Sequence, residues 1–541
     1  MRNLWIFLSL LTLTAAPAHA GKPLGNPNAP QGGTLYLNLG GEPSTLNPIT
    51  SSDLYATKAQ SYAMEKLLGR NVETYDWEPQ LAEKWTVSKD GKVFTFTIRK
   101  GVKWHDGQPL TVQDVKFSFD VIFNDKYHTA HLRPYYEGLE KCEIVDDHTV
   151  KFTAKTKYFR NFDSAAELTV VPKHLYEDPD KGPKMAKVLV GTGAYQMDDY
   201  ERGTRLVLKR NKDWWGNGLA DHKGEANFDK IVLRFVESRQ TSLEMLKKGD
   251  LDFIEMDPET YTQQATGAEW GKKVLKLKVE TLAPKGTPFI GWNMKSPLFS
   301  DKKVRKALTY LVNRNLMIQK FRFGMSVPGT GPWYLQSAYA SPKVKAIPFD
   351  TKKGLALLKE AGWADTDKDG TLDKVIDGKK TPFSFTLITA AEDRMKYFTM
   401  FKEDAKQAGV DVNLKLVEWN SFVKLLDERK FDAVALAWGG GSVDVDPKQI
   451  WHSASIANAG SNFVSYSNPE VDKLIDEARE TMDRPGRIKK MRKVYEDIAD
   501  DAPYVWLYVD KFDLYGRTGR MGVVKDAYKY SVGTGYWWLK P

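Results

Sequence analysis

At 541 residues the chain exceeds what a single hydrophobic core organises, so it should divide into about two to four domains. Its 42% hydrophobic and 28% charged residues, with 16 tryptophans, exclude a disordered or fibrous chain. The net charge of +9 is spread along the sequence and comes with no aromatic–basic recognition motif, which excludes a dedicated nucleic-acid surface.

From the N-terminus, Arg2 precedes an apolar run from Leu4 to Leu13, and Ala18, His19 and Ala20 follow as a small-x-small cleavage site. Residues 1–20 therefore read as a secretory signal peptide. The run is shorter than the roughly 20 apolar residues that span a bilayer, and no later segment supplies such a stretch. Cleavage after Ala20 predicts a mature chain starting at Gly21. No cysteine stands there to carry a lipid, so the expectation is a soluble monomer free in the periplasm. Cys142 is the lone cysteine, cannot form an internal disulfide, and is expected to be a small buried apolar residue.

Next, "WTVSKDGKVFTFTIR" alternates Phe94, Phe96 and Ile98 with Thr95, Thr97 and Arg99 behind an Asp90-Gly91 turn, which predicts a β-hairpin. The stretch "VKWHDGQPLTVQDVKFSFD" then sets His105 beside Asp106. The turn residues Asp106, Gly107 and Pro109 favour a structural role, with Asp106 bonding turn amides and His105 packing locally. Thr111 and Asp114 resemble a capping box, and Val115, Phe119 and Ile122 share one helical face. His128 and His131 have helical spacing, a weak candidate for a metal pair. In "KKVLKLKVE", Leu275, Leu277 and Val279 alternate with Lys276 and Lys278, as in a strand with one solvated face. Further on, "KKGLALLKEAGW" precedes "FSFTLITA" and "FKEDAKQAGV" precedes "DVNLKLVEW", helix-then-strand alternation expected of an open α/β sheet.

"DTDKDGTLD" places Asp365, Asp367, Asp369, Thr371 and Asp373 at alternate positions around Gly370, as calcium loops do. Its twelfth position is Ile376 rather than a bidentate Glu, so structural calcium competes with a plain helix-to-strand connection, and no other cofactor is expected. The chain lacks Gly-x-Ser-x-Gly, a Walker loop, a full Gly-x-Gly-x-x-Gly and His-Glu-x-x-His, so no catalysis is expected.

Four blocks carry a family resemblance: "LAEKWTVSKDGKVFTFTIRKGVKWHDGQPLTVQDVKFSFD", "GTGAYQMDDYERGTRLVLKRNKDWWG", "GWNMKSPLFSDKKVRKALTYLVNR" and "NFVSYSNPEVDKLIDEA". Together they resemble the family 5 extracellular solute-binding proteins, the periplasmic receptors of oligopeptide, dipeptide and nickel ABC importers. The resemblance implies an α/β, two-lobed periplasmic binding protein fold, type II-like, with an extra domain inserted in the first lobe and the ligand enclosed between lobes. By that analogy lobe one comprises residues 31–56, 186–285 and 505–541, the insert 57–185, and lobe two 286–504. Pro284, Gly286, Pro288 and Pro503 would punctuate the crossings.

The resemblance also assigns ligand contacts. Ser52, Asp53 and Leu54 follow the segment after the first strand, and Asp53 would meet a cationic ligand group. Trp419 and Trp438 match tryptophans lining side-chain pockets, with core packing as the competing role. Gly439 and Gly440 would offer backbone groups to an extended peptide. Three residues after the second tryptophan, where peptide receptors of the family carry an aspartate for the α-amine, this chain has Gly441, and Asp444 is the expected replacement. The implied function is capture of an oligopeptide or peptide-like solute and delivery to the importer's permease subunits. A nickel or other non-peptide solute receptor, and an envelope chaperone or sensor on the same fold, are the alternatives.

Overall fold

The computed structural model describes residues 22–457 and 460–541. The signal-peptide reading and its Ala20 cleavage site lie outside the described residues. Among the described residues, no helix is long and apolar enough to cross a membrane. The chain forms two compact units, one running through Glu255 and taking in Ala265–Leu277 and Tyr515–Pro541, the other comprising Met256–Gln264 and Lys278–Leu514. The two longer passages between units fall inside the strands Val274–Val279 and Asp513–Thr518, neighbours in one sheet. They are not at the prolines. The Pro/Gly run at 284–288 instead leads into the strand Thr287–Trp292.

Unit one is built on a seven-stranded sheet whose middle strand, Thr34–Asn38, runs parallel to Lys230–Arg234 with Tyr36 opposite Val232. Lys230–Arg234 pairs antiparallel with Arg205–Arg210, which forms a hairpin with Tyr195–Glu201. A separate four-stranded antiparallel sheet, from Ala82–Val87, Val93–Ile98, Thr149–Ala154 and Leu139–Asp146, has its own core. The period-two pattern drives it there: Phe94, Phe96 and Ile98 are buried, while Thr95 and Thr97 remain half-exposed on the other face. Gly91 takes a φ of 72° at the hairpin turn, a conformation that favours glycine. The helix Val112–Asp120 starts at the expected capping box, with the Thr111 amide donating to Asp114 Oδ2 at 2.8 Å. Val115, Phe119 and Ile122 enter the same core, as does Cys142, whose thiol burial pushes up to about 12.

His105 and Asp106 do not pair with each other. The Gly191 amide donates to His105 Nδ1 at 3.1 Å, so Nε2 carries the proton and donates to the Gly193 carbonyl at 3.0 Å. Asp106 accepts from the Gln108 amide and lies 2.7 Å from His174 Nε2. His128 and His131 are not on one helix: His128 ends a short 3-10 turn with a φ of 57°, and His131 Nε2 bonds the Ser51 carbonyl. The helical spacing of that pair is therefore not realised.

Two distant sequence blocks converge on Glu65, which is 5% exposed. Thr192 Oγ1 and Trp215 Nε1 donate to its Oε2 at 2.7 and 2.8 Å, and Trp214 Nε1 donates to Oε1 at 3.1 Å. A side chain on Gly191 would meet the Ala63 carbonyl at 1.9 Å, so the backbone closes against this segment only because residue 191 is glycine.

Unit two has a five-stranded sheet in the order Asp411–Leu416, Ser384–Thr389, Ala433–Trp438, Thr287–Trp292, Tyr504–Trp506. The first three strands are parallel, and Thr287–Trp292 is antiparallel to its neighbours on both sides. The predicted alternation is present, since the helices Thr351–Glu360, Met395–Lys406 and Trp419–Asp427 interleave with these strands. Leu358, Phe398 and Phe401 pack in one core, whereas Pro469–Arg479 and Arg484–Asp501 bury Ile475, Val494 and Ile498 in another.

Candidate functional site

In open α/β sheets, ligands bind beyond the carboxyl ends of the parallel strands, where helix N-termini and loops gather. In unit two, the register pairs Thr389 with Leu416, so those two strands end together, while Ile388 pairs with Val434 and the strand Ala433–Trp438 runs about three residues further in the same direction. Trp419, Trp438 and Gly439–Gly441 all follow directly from these ends. The tertiary structure thus brings the unit-two candidates to one edge.

Trp419 opens the helix Trp419–Asp427 and is 57% exposed, stacked on Phe422 with ring centroids 5.9 Å apart. Glu418 caps that helix by accepting from the amides of Asn420 and Ser421. Trp438 is half-buried between Phe463 at 5.7 Å and Phe289 at 6.0 Å, both nearly parallel to it, and Phe289 stacks in turn on Tyr504. Trp419 thus presents an exposed apolar face, whereas Trp438 is partly packed into the core. Phe463, Phe289 and the half-exposed Leu416 had no signal in sequence spacing, because their neighbours in space come from separate strands and loops.

The glycines differ from one another. A side chain on Gly440 would meet the Pro284 carbonyl at 2.5 Å, so this residue is small for close backbone approach. Gly439 and Gly441 have open space around them, and Gly441 adopts a φ of 66°.

Asp444 is 4% exposed and already engaged. Its Oδ1 accepts from Tyr339 Oη at 2.5 Å and Arg484 Nε at 3.0 Å, with Arg487 Nη2 at 3.7 Å. Burial alone would raise this carboxyl, but Tyr339 and the two guanidinium groups outweigh it and hold the group below the ordinary carboxylate range. The expectation that Asp444 waits for a ligand ammonium does not match this geometry. Asp446 bonds the Lys448 amide and Arg479 Nη1 at 3.0 Å, the turn role its place before Pro447 suggests.

In unit one, Asp53 caps the helix Leu54–Gln60 by accepting from the Ala56 amide at 2.7 Å, and Ser44 Oγ donates to its other oxygen at 2.6 Å. Partial burial would raise Asp53, and these bonds more than offset it, leaving the carboxyl below its ordinary value. Ser52 is exposed beside it, and Leu54 is 63% exposed. Tyr55 lies over Gly40 and Gly41, where a side chain would meet its ring at 2.8 and 2.6 Å. Sequence reading passed over Tyr55 and this glycine bed.

Of the five expected calcium ligands, the structure groups Asp365, Asp367 and Asp373, with carboxylate oxygens within 4.8 Å of one another. Asp369 turns to the Thr371 amide at 2.7 Å. Lys380 Nζ reaches Asp367 at 2.6 Å and Asp373 at 3.3 Å, and Thr366 Oγ1 donates to Asp373. A cation entering this group competes with an ammonium already there.

Comparison with known proteins agrees with this architecture. Residues 76–459 match the model of the bacterial extracellular solute-binding proteins, family 5. The oligopeptide-binding protein AppA of Bacillus subtilis is 31% identical over 512 residues, covering 92% of this chain and 88% of that protein. The structure of Bacillus subtilis AppA in complex with a nonapeptide superposes with a TM-score of 0.73 at 28% identity, covering 95% of this chain and 100% of that one. NikZ from Campylobacter jejuni, in complex with Ni(L-His), shares the fold with a TM-score of 0.73 at 22% identity, covering 93% and 99%. The two-unit α/β architecture is that of these two-lobed binding proteins, and the chain belongs to the family 5 bacterial extracellular solute-binding proteins, a family of solute receptors rather than of enzymes.

Proposed function

We propose that this protein is the periplasmic receptor of an ABC importer, capturing an oligopeptide or peptide-like solute and delivering it to the membrane permease subunits. The observation that carries the reading is the carboxyl side of the unit-two sheet, where an exposed tryptophan and a glycine loop each follow the end of a parallel strand. An extended peptide suits such an edge, since backbone groups of Gly439, Gly440 and Gly441 can pair with its main chain while Trp419 and Trp438 offer surfaces to its side chains. The receptor works without cofactor or catalysis, as a monomer exported by the signal peptide at residues 1–20. The similarity to AppA in sequence and structure supports peptide over other solutes.

The test is native mass spectrometry of the purified protein mixed with a randomised nonapeptide library. Retained peptides, with affinity weakened about tenfold by Trp419→Ala, are the expected result. Retention of a nickel–histidine chelate with no peptide would overturn the peptide reading, as would stable capture of unfolded protein in place of both.

A further inference from the structure

The loop that follows Trp438 is bolted down a few residues beyond its glycines. Asp444 is held by Tyr339, itself fully buried, and by Arg484 at the start of the helix Arg484–Asp501. Arg487, one turn further along that helix, completes the cluster and is itself anchored by donating to the Thr481 and Met482 carbonyls. Two residues later Asp446 is tied to Arg479, near the end of the helix Pro469–Arg479. At the other end, Gly440 lies against the Pro284 carbonyl. Between these fixings a side chain on Gly439 or Gly441 would point into open space. Three glycines in a row leave a backbone with high conformational entropy, so its shape depends on what clamps its ends.

We infer that Asp444 is a positioning residue: with Tyr339, Arg484 and Arg487 it fixes the geometry of the Gly439–Gly441 loop, and it does not read the α-amine of a peptide. This rests on the proposed peptide-receptor function and narrows it, because specificity at this loop then comes from backbone shape and tryptophan surfaces rather than from a carboxylate facing the ligand's N-terminus. A carboxylate already bonded to a hydroxyl and a guanidinium gains little by exchanging them for an ammonium, while the buried Arg487 would lose the carboxylate beside it.

The experiment uses the full mature chain and two randomised nonapeptide libraries, one with free N-termini and one N-acetylated, with calorimetry on a peptide enriched from each. Asp444→Asn should weaken both by the same factor, about tenfold, with the ratio of the two affinities kept within about twofold of wild type. Tyr339→Phe keeps every charge and guards against misfolding of the first variant; it should weaken both about threefold. Hydrogen exchange without ligand should accelerate at residues 439–443 in both variants, a change that general destabilisation would spread over the whole unit. A loss confined to free-amine peptides would overturn the inference and restore Asp444 as an amine acceptor. Unchanged affinities for both libraries, with only a lower melting temperature, would overturn it in favour of a purely structural cluster. Failure of the wild type to bind either library would instead overturn the peptide-receptor reading on which the inference rests.

Discussion

Glu65 in unit one and Asp444 in unit two are both withdrawn from solvent, yet their surroundings differ in the one property that decides ionisation. Glu65 is caged by neutral donors, a threonine hydroxyl and two indole N–H groups, with His222 packed edge-on against both indoles and bonded to Glu225. Burial raises its carboxyl from 4.5 to about 7, because the bonds from Trp215, Thr192 and Trp214 and the charge of His222 offset only part of the desolvation. Asp444 meets two guanidinium groups and stays ionised. Hydrogen bonds from neutral groups satisfy the geometry of a buried carboxylate without matching its charge, and only a cation does both.

The largest expected effect tests the cationic cluster. Asp444→Ala leaves the buried Arg487 and the partly buried Arg484 without their carboxylate, and should destabilise the protein by about 3–5 kcal/mol in urea titrations followed by tryptophan fluorescence. A loss under about 1 kcal/mol would show that the arginines find other partners and that the two buried sites differ less than their charges suggest.

The neutral cage should reveal itself through pH. An unfolded Glu65 ionises near 4.5 and the folded one near 7, so between these values the unfolded state holds fewer protons and stability falls as pH rises. The contribution is on the order of 3 kcal/mol, fully present below 4.5 and lost above about 7. Glu65→Gln cannot titrate, so the slope of its melting temperature between pH 4.5 and 7 should be correspondingly flatter than that of the wild type. Equal slopes would mean that the cage accommodates the charged form. Asp444 has the opposite sign, since its lowered value makes stability fall only as pH drops below 3.8.

His105 sharpens the contrast from the same corner of unit one, since it bonds Gly191 and Gly193 on either side of Thr192. Burial pushes its imidazole below 6.5, against the pull of the Gly193 carbonyl and Asp106, so the neutral ring stabilises the fold and its contribution is lost as pH falls below 6.5. His105→Ala should lower stability by about 1–2 kcal/mol at pH 7.5, with peptide affinity of the folded fraction unchanged. A large affinity loss at constant melting temperature would place His105 in ligand binding instead.

The smallest effect concerns the exposed carboxylates. With Lys380 already at Asp367 and Asp373, millimolar calcium should shift the melting temperature of the wild type by less than about 1 °C. A clear rise that Asp367→Asn removes would show that calcium displaces the lysine.

Local pattern made much of this molecule legible before its structure. The hairpin around Asp90-Gly91, the Thr111–Asp114 capping box and the interleaved helices and strands of unit two depend on residues within a few positions of each other, and each is present. The resemblance singled out Trp419 and Trp438 as pocket-lining residues, and the structure shows the first exposed and the second half-buried. The role of Asp444 was not legible. Its position in sequence, three residues beyond Gly441, suggested a displaced amine acceptor, and nothing nearby announces Tyr339, 105 residues away, or Arg484, 40 residues away. Glu65 was missed for the same reason, with its three donors 127 to 150 residues distant. The His128–His131 pair failed in the other direction, since spacing suggests a shared helical face only if the backbone is helical, and His128 is left-handed.

The sequence by itself determined several strands and helices and their α/β alternation, because hydrophobic periodicity, caps and turns act over a few residues and survive any arrangement of the rest, and the resemblance of four longer blocks gave the family. Only the tertiary structure decided which charged groups are free to meet a ligand. A carboxylate in a string of residues is always available. In the folded chain its availability depends on desolvation and on the cations and donors that packing delivers from far away, and here that packing occupies Asp53 with Ser44 and a helix N-terminus, and Asp444 with two arginines, while leaving Trp419 open.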